Sequence, residues 1–200
     1  MANRSIRTMI RPGLIGFSTG DSVLSKTIRK AQSIWVNLYQ NKDEDKPIKN
    51  HVFMTFEKFG KIYVIEADLK VVKVQGKYKF KPVVKTTKWE YTEYARGKVD
   101  YCFKEPIKPW SKEEILQLNE LAEKYEGRPY EKVNVAFHQV IKTITNKWIG
   151  KTGLSAEFAF ICCELVGTMC HHVRNYWFPN CAELNVMELF LDSELKDAVI

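Results

Sequence analysis

No run of apolar residues in this sequence reaches the roughly 18 that a membrane-spanning helix needs. The first eleven residues are basic, but the apolar stretch near Leu14 is interrupted by Pro12, Gly13 and Gly16, so nothing reads as a secretory signal. Cysteine is scarce and odd in number: Cys102, Cys162, Cys163, Cys170 and Cys181. None of these has zinc-finger spacing, and the adjacent pair Cys162 and Cys163 is badly placed to bridge to itself. A disulfide framework is therefore not expected, and the composition reads as a reduced, cytoplasmic protein at synthesis; a phage protein released by lysis would look the same. Internal repeats and nucleic-acid motifs are also missing. With only 10 glycines and 7 prolines, the chain is neither low-complexity nor collagen-like.

What is present is ordinary for a globular chain. The 200 residues are 45% hydrophobic and 28% charged, enough to bury a core without covalent staples. One domain over residues 1–200 is expected, with residues 1–10 as a basic lead-in. The formal charge of +7 reads either as a solvated lysine-rich surface or as attraction to an anionic partner, a cell-wall polymer or a lipid surface.

Local patterns give the order of elements. Leu14 to Phe17 predicts a short strand, and Val23 to about Tyr39 carries apolar residues at helical spacing after a possible cap at Asp21 or Ser22. His51 to Phe56 and Ile62 to Ala67 predict a hairpin turning at Phe59-Gly60-Lys61. Val71 to Val74 and Tyr78 to Val84 read as further strands joined through Gln75-Gly76-Lys77, whereas Trp89 to Tyr94 fits either strand or loop. Pro106, Pro109 and Trp110 mark a break. Ser111 and Glu114 have capping-box spacing ahead of a helix over Lys112 to about Tyr125. Residues 131–149, containing His138, are amphipathic; Phe158 to about Val173 is strongly apolar; Ala182 to Leu195 is helical in part. Helix, sheet, then helices predicts an α+β fold with a mostly antiparallel sheet packed against helices.

The chemistry concentrates in Phe160-Ile161-Cys162-Cys163-Glu164-Leu165-Val166, two thiols and a carboxylate in an apolar run. A helix starting at or just after Cys162 would favour a thiolate through its N-terminal dipole, and a base must come from elsewhere. The four histidines are His51, His138, His171 and His172. The last two point about 100° apart on one helix, so they cannot both face one site. His51 heads a strand after a polar loop. Glu66, a carboxylate inside an otherwise apolar strand, falls directly across from it if the hairpin centres between residues 58 and 59, which would put both side chains on one face. Such a carboxylate would fix the imidazole tautomer; a solvent-facing glutamate on an edge strand is the competing reading.

Together Pro12-Gly13-Leu14-Ile15-Gly16-Phe17, Leu24-Ser25-Lys26-Thr27-Ile28-Arg29, His51-Val52, Tyr63-Val64-Ile65-Glu66-Ala67, Gly127-Arg128-Pro129-Tyr130 and Ile161-Cys162-Cys163-Glu164-Leu165-Val166 occur in an order that resembles the circularly permuted papain-like cysteine hydrolases. These are the YiiX-like branch of the NlpC-type peptidase superfamily, with lecithin–retinol acyltransferase a distant relative. The resemblance covers about residues 10–190 and implies a circularly permuted papain-like fold in which the histidine strand precedes the cysteine helix. It implies Cys162 as nucleophile, His51 as general base and Glu66 as the orienting residue. Cys163 stands where the family usually has serine, Glu164 matches a structural glutamate, and Tyr130 matches a recurrent tyrosine near the cleft, so Tyr130 and Cys163 are candidates for substrate binding. Two positions depart from the pattern: Leu14 follows Gly13 where aspartate is common, and Phe53 stands where a small residue is common.

The implied activity is hydrolysis or acyl transfer at an amide or ester bond, on a cell-wall peptide or a lipid-linked acyl group, with no cofactor and no metal. A non-catalytic module on the same fold, holding an anionic partner, is the alternative. A metal site drawn from Cys162, Cys163, His171 and His172 fits no familiar zinc spacing. By itself, a buried cysteine is as readily an inert core thiol, the reading kept for Cys102, Cys170 and Cys181.

Overall fold

The structure, a computed structural model, describes residues 10–20, 23–39, 48–74, 77–129, 162–175, 177–178, 184 and 186–200. Six strands form one sheet: β1 Ile15–Thr19, β2 His51–Lys58, β3 Lys61–Val74, β4 Lys77–Lys88, β5 Asp100–Pro106 and β6 Leu195–Asp197. Their spatial order is β4-β3-β2-β1-β5-β6, and every neighbouring pair is antiparallel. Four helices are described: α1 Val23–Tyr39, α2 Lys112–Tyr125, α3 Cys162–Val173 and α4 Val186–Phe190. This is the mixed helix-and-sheet architecture expected. No helix among the described residues is long and apolar enough to cross a membrane.

The β2–β3 hairpin closes on the pair Lys58 and Lys61 through Phe59 and Gly60, whose φ angles are +53° and +67°. Two successive positive φ values define the tight turn whose twist matches its flanking strands. The resulting register pairs Met54 with Ile65 and Phe56 with Tyr63, so position 51 falls opposite 68, not 66. The expected direct pairing of His51 with Glu66 is therefore wrong by two residues. A shift of two preserves the face on which a side chain stands, whereas a shift of one would have reversed it.

Further along, the stretch from Ile62 to Val74 is one continuous strand, because β3 and β4 pair without interruption from Tyr63 and Lys88 to Val74 and Lys77. Trp89–Tyr91 is a short 3-10 turn. β5 was not expected at all: Pro106 reads as a break, yet Tyr101 and Phe103 alternate with Cys102 and Lys104 in the pattern of a half-buried strand. It lies beside β1, inside the sheet.

Alternation along the strands divides the core in two. Phe17, Val52, Met54, Phe56, Ile65 and Ala67 face the helices and join residues of α1 to α4 in the larger cluster. The opposite face carries Phe53, Val64 and Phe103, covered by Leu14 and Tyr94. Phe53 stacks on Tyr94, with ring centroids 4.2 Å apart and planes 11° from parallel. Its ring occupies the space above Gly16, its partner on β1, where a methyl group would collide with it. The bulky residue at position 53 is thus core packing, accommodated by a glycine.

The helices are anchored by sequence-local devices. Ser111 Oγ accepts from the Glu114 amide (3.2 Å) while Glu114 Oε2 accepts from the Ser111 amide (2.7 Å), the reciprocal cap expected for α2. Glu114 also receives Arg174, from just beyond α3, in two bonds of 2.8 and 2.9 Å. The guanidinium donates to the Pro109 carbonyl and lies 4.2 Å from the Trp110 ring. This buried clasp holds the start of α2 against the end of α3, and α3 packs across β2 and β3.

Candidate active site

His51 is the first residue of β2, and its backbone pairs with Ser18 of β1. On the other side, the β2–β3 ladder ends at Met54 and Ile65, so residues 51–53 lie beyond it. At this open end, the first residue of α3, Cys162, approaches the strand from the helical side. The Cys162 sulfur accepts a hydrogen bond from the Val52 amide and makes a second with the His51 ring. Cys162 itself is buried.

Glu66 sits on β3, diagonally across from His51, with 6% of its side chain exposed. Its Oε2 lies 2.8 Å from His51 Nε2 and accepts from the Tyr94 hydroxyl at 2.7 Å. Tyr94 in turn accepts a hydrogen bond from Ser18, so its own proton is directed to the carboxylate. Glu66 Oε1 faces Lys85 Nζ at 3.2 Å, and Lys85 donates to Asp68 at 2.7 Å. Burial by itself would raise the Glu66 carboxyl, but His51, Lys85 and Tyr94 overcome it and hold the group at about 2.

An ionised Glu66 can only accept, so His51 Nε2 carries the hydrogen of that bond. The ring has two nitrogens, which leaves Nδ1 for Cys162. Burial opposes charge on His51, but its hydrogen bonds to Cys162 and Glu66 and their negative charge raise it well above its ordinary value. The Cys162 thiol is drawn well below its ordinary value, first by the neighbouring Cys163 thiol and, against burial, by His51 and the Val52 amide. Thiol lowered and imidazole raised are the directions that favour a thiolate–imidazolium pair, with a buried carboxylate behind the ring.

Cys163 behaves oppositely. Its thiol donates to the Leu184 carbonyl, 3.0 Å away, and the hydrogen bond with Cys162 together with burial pushes it well above its ordinary value. Burial raises Cys170 as well, and raises Cys102 against two nearby lysines. His171 and His172 donate through Nδ1 to the carbonyls of Trp177 and Thr168, both at 2.9 Å, and neither enters the site. Tyr130, His138 and Cys181 lie outside the described residues. Among the described residues, no three of His, Cys, Asp and Glu converge as metal ligands would.

Sequence reasoning did not name Tyr94, Lys85, Asp68 or Ser18. For Lys85 a signal existed. A turn at Gln75-Gly76 closing on Val74 and Lys77 places Lys85 directly opposite Glu66, an acidic residue facing a basic one. Tyr94 carried no such signal, because it enters from the connection between β4 and β5.

No family model matches the sequence, and no curated protein matches it. Among solved structures, the chain is similar to the metalloprotein yiiX from Escherichia coli O157:H7, with a TM-score of 0.48 and 19% identity over 94% of this chain and 96% of that one.

Proposed function

We propose that this chain is a cysteine-dependent hydrolase or acyltransferase acting on an amide or ester bond through Cys162, His51 and Glu66. The observation that carries the reading is the meeting of three distant residues at the open end of the β2–β3 ladder, with the thiol shifted down and the imidazole shifted up. Structural thiols shift the other way, as Cys170 does in the same helix. The order in the chain, histidine strand before cysteine helix, is that of a circularly permuted papain-like fold, the arrangement we assign to this domain.

In this mechanism the Cys162 proton resides on His51 Nδ1 and the thiolate attacks the carbonyl carbon of the substrate. Backbone amides at the start of α3 stabilise the oxyanion, aided by the helix dipole. The imidazolium then protonates the departing amine or alcohol as the carbon–nitrogen or carbon–oxygen bond breaks. Water, or an acceptor alcohol or amine, gives its proton back to His51 and releases the acyl group from sulfur. Glu66 keeps the tautomer and the ring plane fixed throughout. A cell-wall peptide or a lipid-linked acyl group is the substrate class we favour, in keeping with the formal charge of +7.

Alkylation by iodoacetamide, with the modified peptide identified, tests the reading. Cys162 should react rapidly near pH 6, well below the ordinary thiol range, and lose that reactivity in His51→Ala. Cys162→Ser should abolish turnover with the fold intact, while Cys163→Ser, which retains a donor for the Leu184 carbonyl, should be tolerated. Slow labelling of Cys162, no faster than the other thiols, would refute the enzyme and favour a binding module on the same scaffold.

A further inference from the structure

We infer that Lys85 is a positioning residue that tempers the hold of Glu66 on His51, so that the imidazole can release a proton as well as take one. The inference rests on the thiol chemistry proposed above. Acyl transfer uses His51 twice in opposite senses, first taking the thiol proton and then delivering it to the leaving group. A group with both duties works best when its affinity for the proton lies near the working pH. A buried carboxylate with no countercharge would hold the imidazolium too tightly for the second step.

The two oxygens of Glu66 are divided between partners. Oε2 serves His51 and Tyr94, and Oε1 faces Lys85 Nζ at 3.2 Å. Among the described residues, the charged and titratable groups around this carboxylate are His51 from β2, Lys85 from β4, Asp68 from β3 and Tyr94 from the β4–β5 connection, and Cys162 contacts His51. Tyr94 contributes a hydrogen bond but no charge. Lys85 is the cation that offsets Glu66, and its field is itself divided, because Asp68 Oδ2 lies 2.7 Å from the same nitrogen. Lys85 is 26% exposed and Asp68 44%, so both can be altered without opening the core.

The balance of these charges gives two variants with opposite outcomes. Lys85→Met leaves Glu66 with His51 as its countercharge and should raise the titration midpoint of His51 by about one unit, the scale of a unit charge acting across one carboxylate at moderate screening. Lys85→Arg should return it to the wild-type value. Asp68→Asn frees Lys85 to act wholly on Glu66 and should lower the midpoint by about half a unit. The measurement is the His51 ring signal in protein carrying carbon-13-labelled histidine, followed across pH by NMR in the full chain, with iodoacetamide labelling of Cys162 in the same samples.

A lysine that only braced the strand would give no upward shift on removal and no response to Asp68→Asn. An unchanged or lowered midpoint in Lys85→Met overturns the inference. If Lys85→Met does not fold, Asp68→Asn decides alone, and an unchanged or raised midpoint there is equally fatal. Failure of the thiol reading would show separately, as slow labelling of wild-type Cys162 whatever the His51 midpoint does.

Discussion

Replacing Glu66 by Gln should lower stability near neutral pH and remove a pH-dependent part of it. The carboxyl is buried and lies at about 2 in the folded chain against 4.5 in the unfolded one. A difference of that size corresponds to about 3 kcal/mol of stability. Because the folded value is the lower one, this stability is fully present above about pH 4.5 and is lost as pH falls toward 2. Protonated Glu66 at pH 2 closely resembles glutamine in shape and charge. Wild type and Glu66→Gln should therefore differ by about 3 kcal/mol near neutral pH and converge at pH 2. His51 adds a second, opposite limb: its folded value lies above the ordinary 6.5, so its contribution is complete below that pH and is lost as pH rises through the folded value. The same substitution should flatten that alkaline limb. Urea unfolding followed by the fluorescence of the five tryptophans, repeated from pH 2 to 10, measures both. Parallel curves for the two proteins between pH 4.5 and 2 would refute the claim that Glu66 is held ionised by its partners.

Three further substitutions probe the frame around the site. Gly16→Ala places a methyl group into the Phe53 ring, which is stacked on Tyr94, and should cost about 3 kcal/mol in urea unfolding and slow Cys162 alkylation by disturbing Glu66. Gln32→Met should stabilise the protein by about 1–2 kcal/mol, because the Gln32 side chain is fully buried and neither amide atom has a hydrogen-bond partner among the described residues. A loss of stability there would mean that the amide is hydrogen-bonded in the folded protein, and would refute the prediction. Arg174→Lys keeps the charge but not the two-pronged contact with Glu114, and should lower stability by about 2 kcal/mol, read as a drop in thermal midpoint.

The sequence was sufficient for features governed by local periodicity and local hydrogen bonding. The helical spacing of residues 23–39 and the capping box at Ser111 and Glu114 follow from neighbours a few positions apart. Strand alternation also put His51 and Glu66 on one face, and that survived a register misplaced by two because the period of a strand is two. β5 went unrecognised because its local signal, a pair of aromatics next to a proline, is weak; its place between β1 and β6 comes from pairing partners distant in the chain.

Tertiary structure alone decided how the thiol meets the ring. His51 stands on the face away from the helices and Cys162 belongs to a helix on the other face; they meet because the β2–β3 ladder stops at Met54 and Ile65. Nothing in a linear pattern records where a ladder stops. Nor does it record that Tyr94 and Lys85 converge on one buried carboxylate, with Ser18 behind Tyr94, since each comes from a different element. Which residue types are available for chemistry, and on which elements they stand, is legible in the linear chain. The sharing of charge among those residues is long-range, set by distances of a few ångströms that exist only once the sheet has closed.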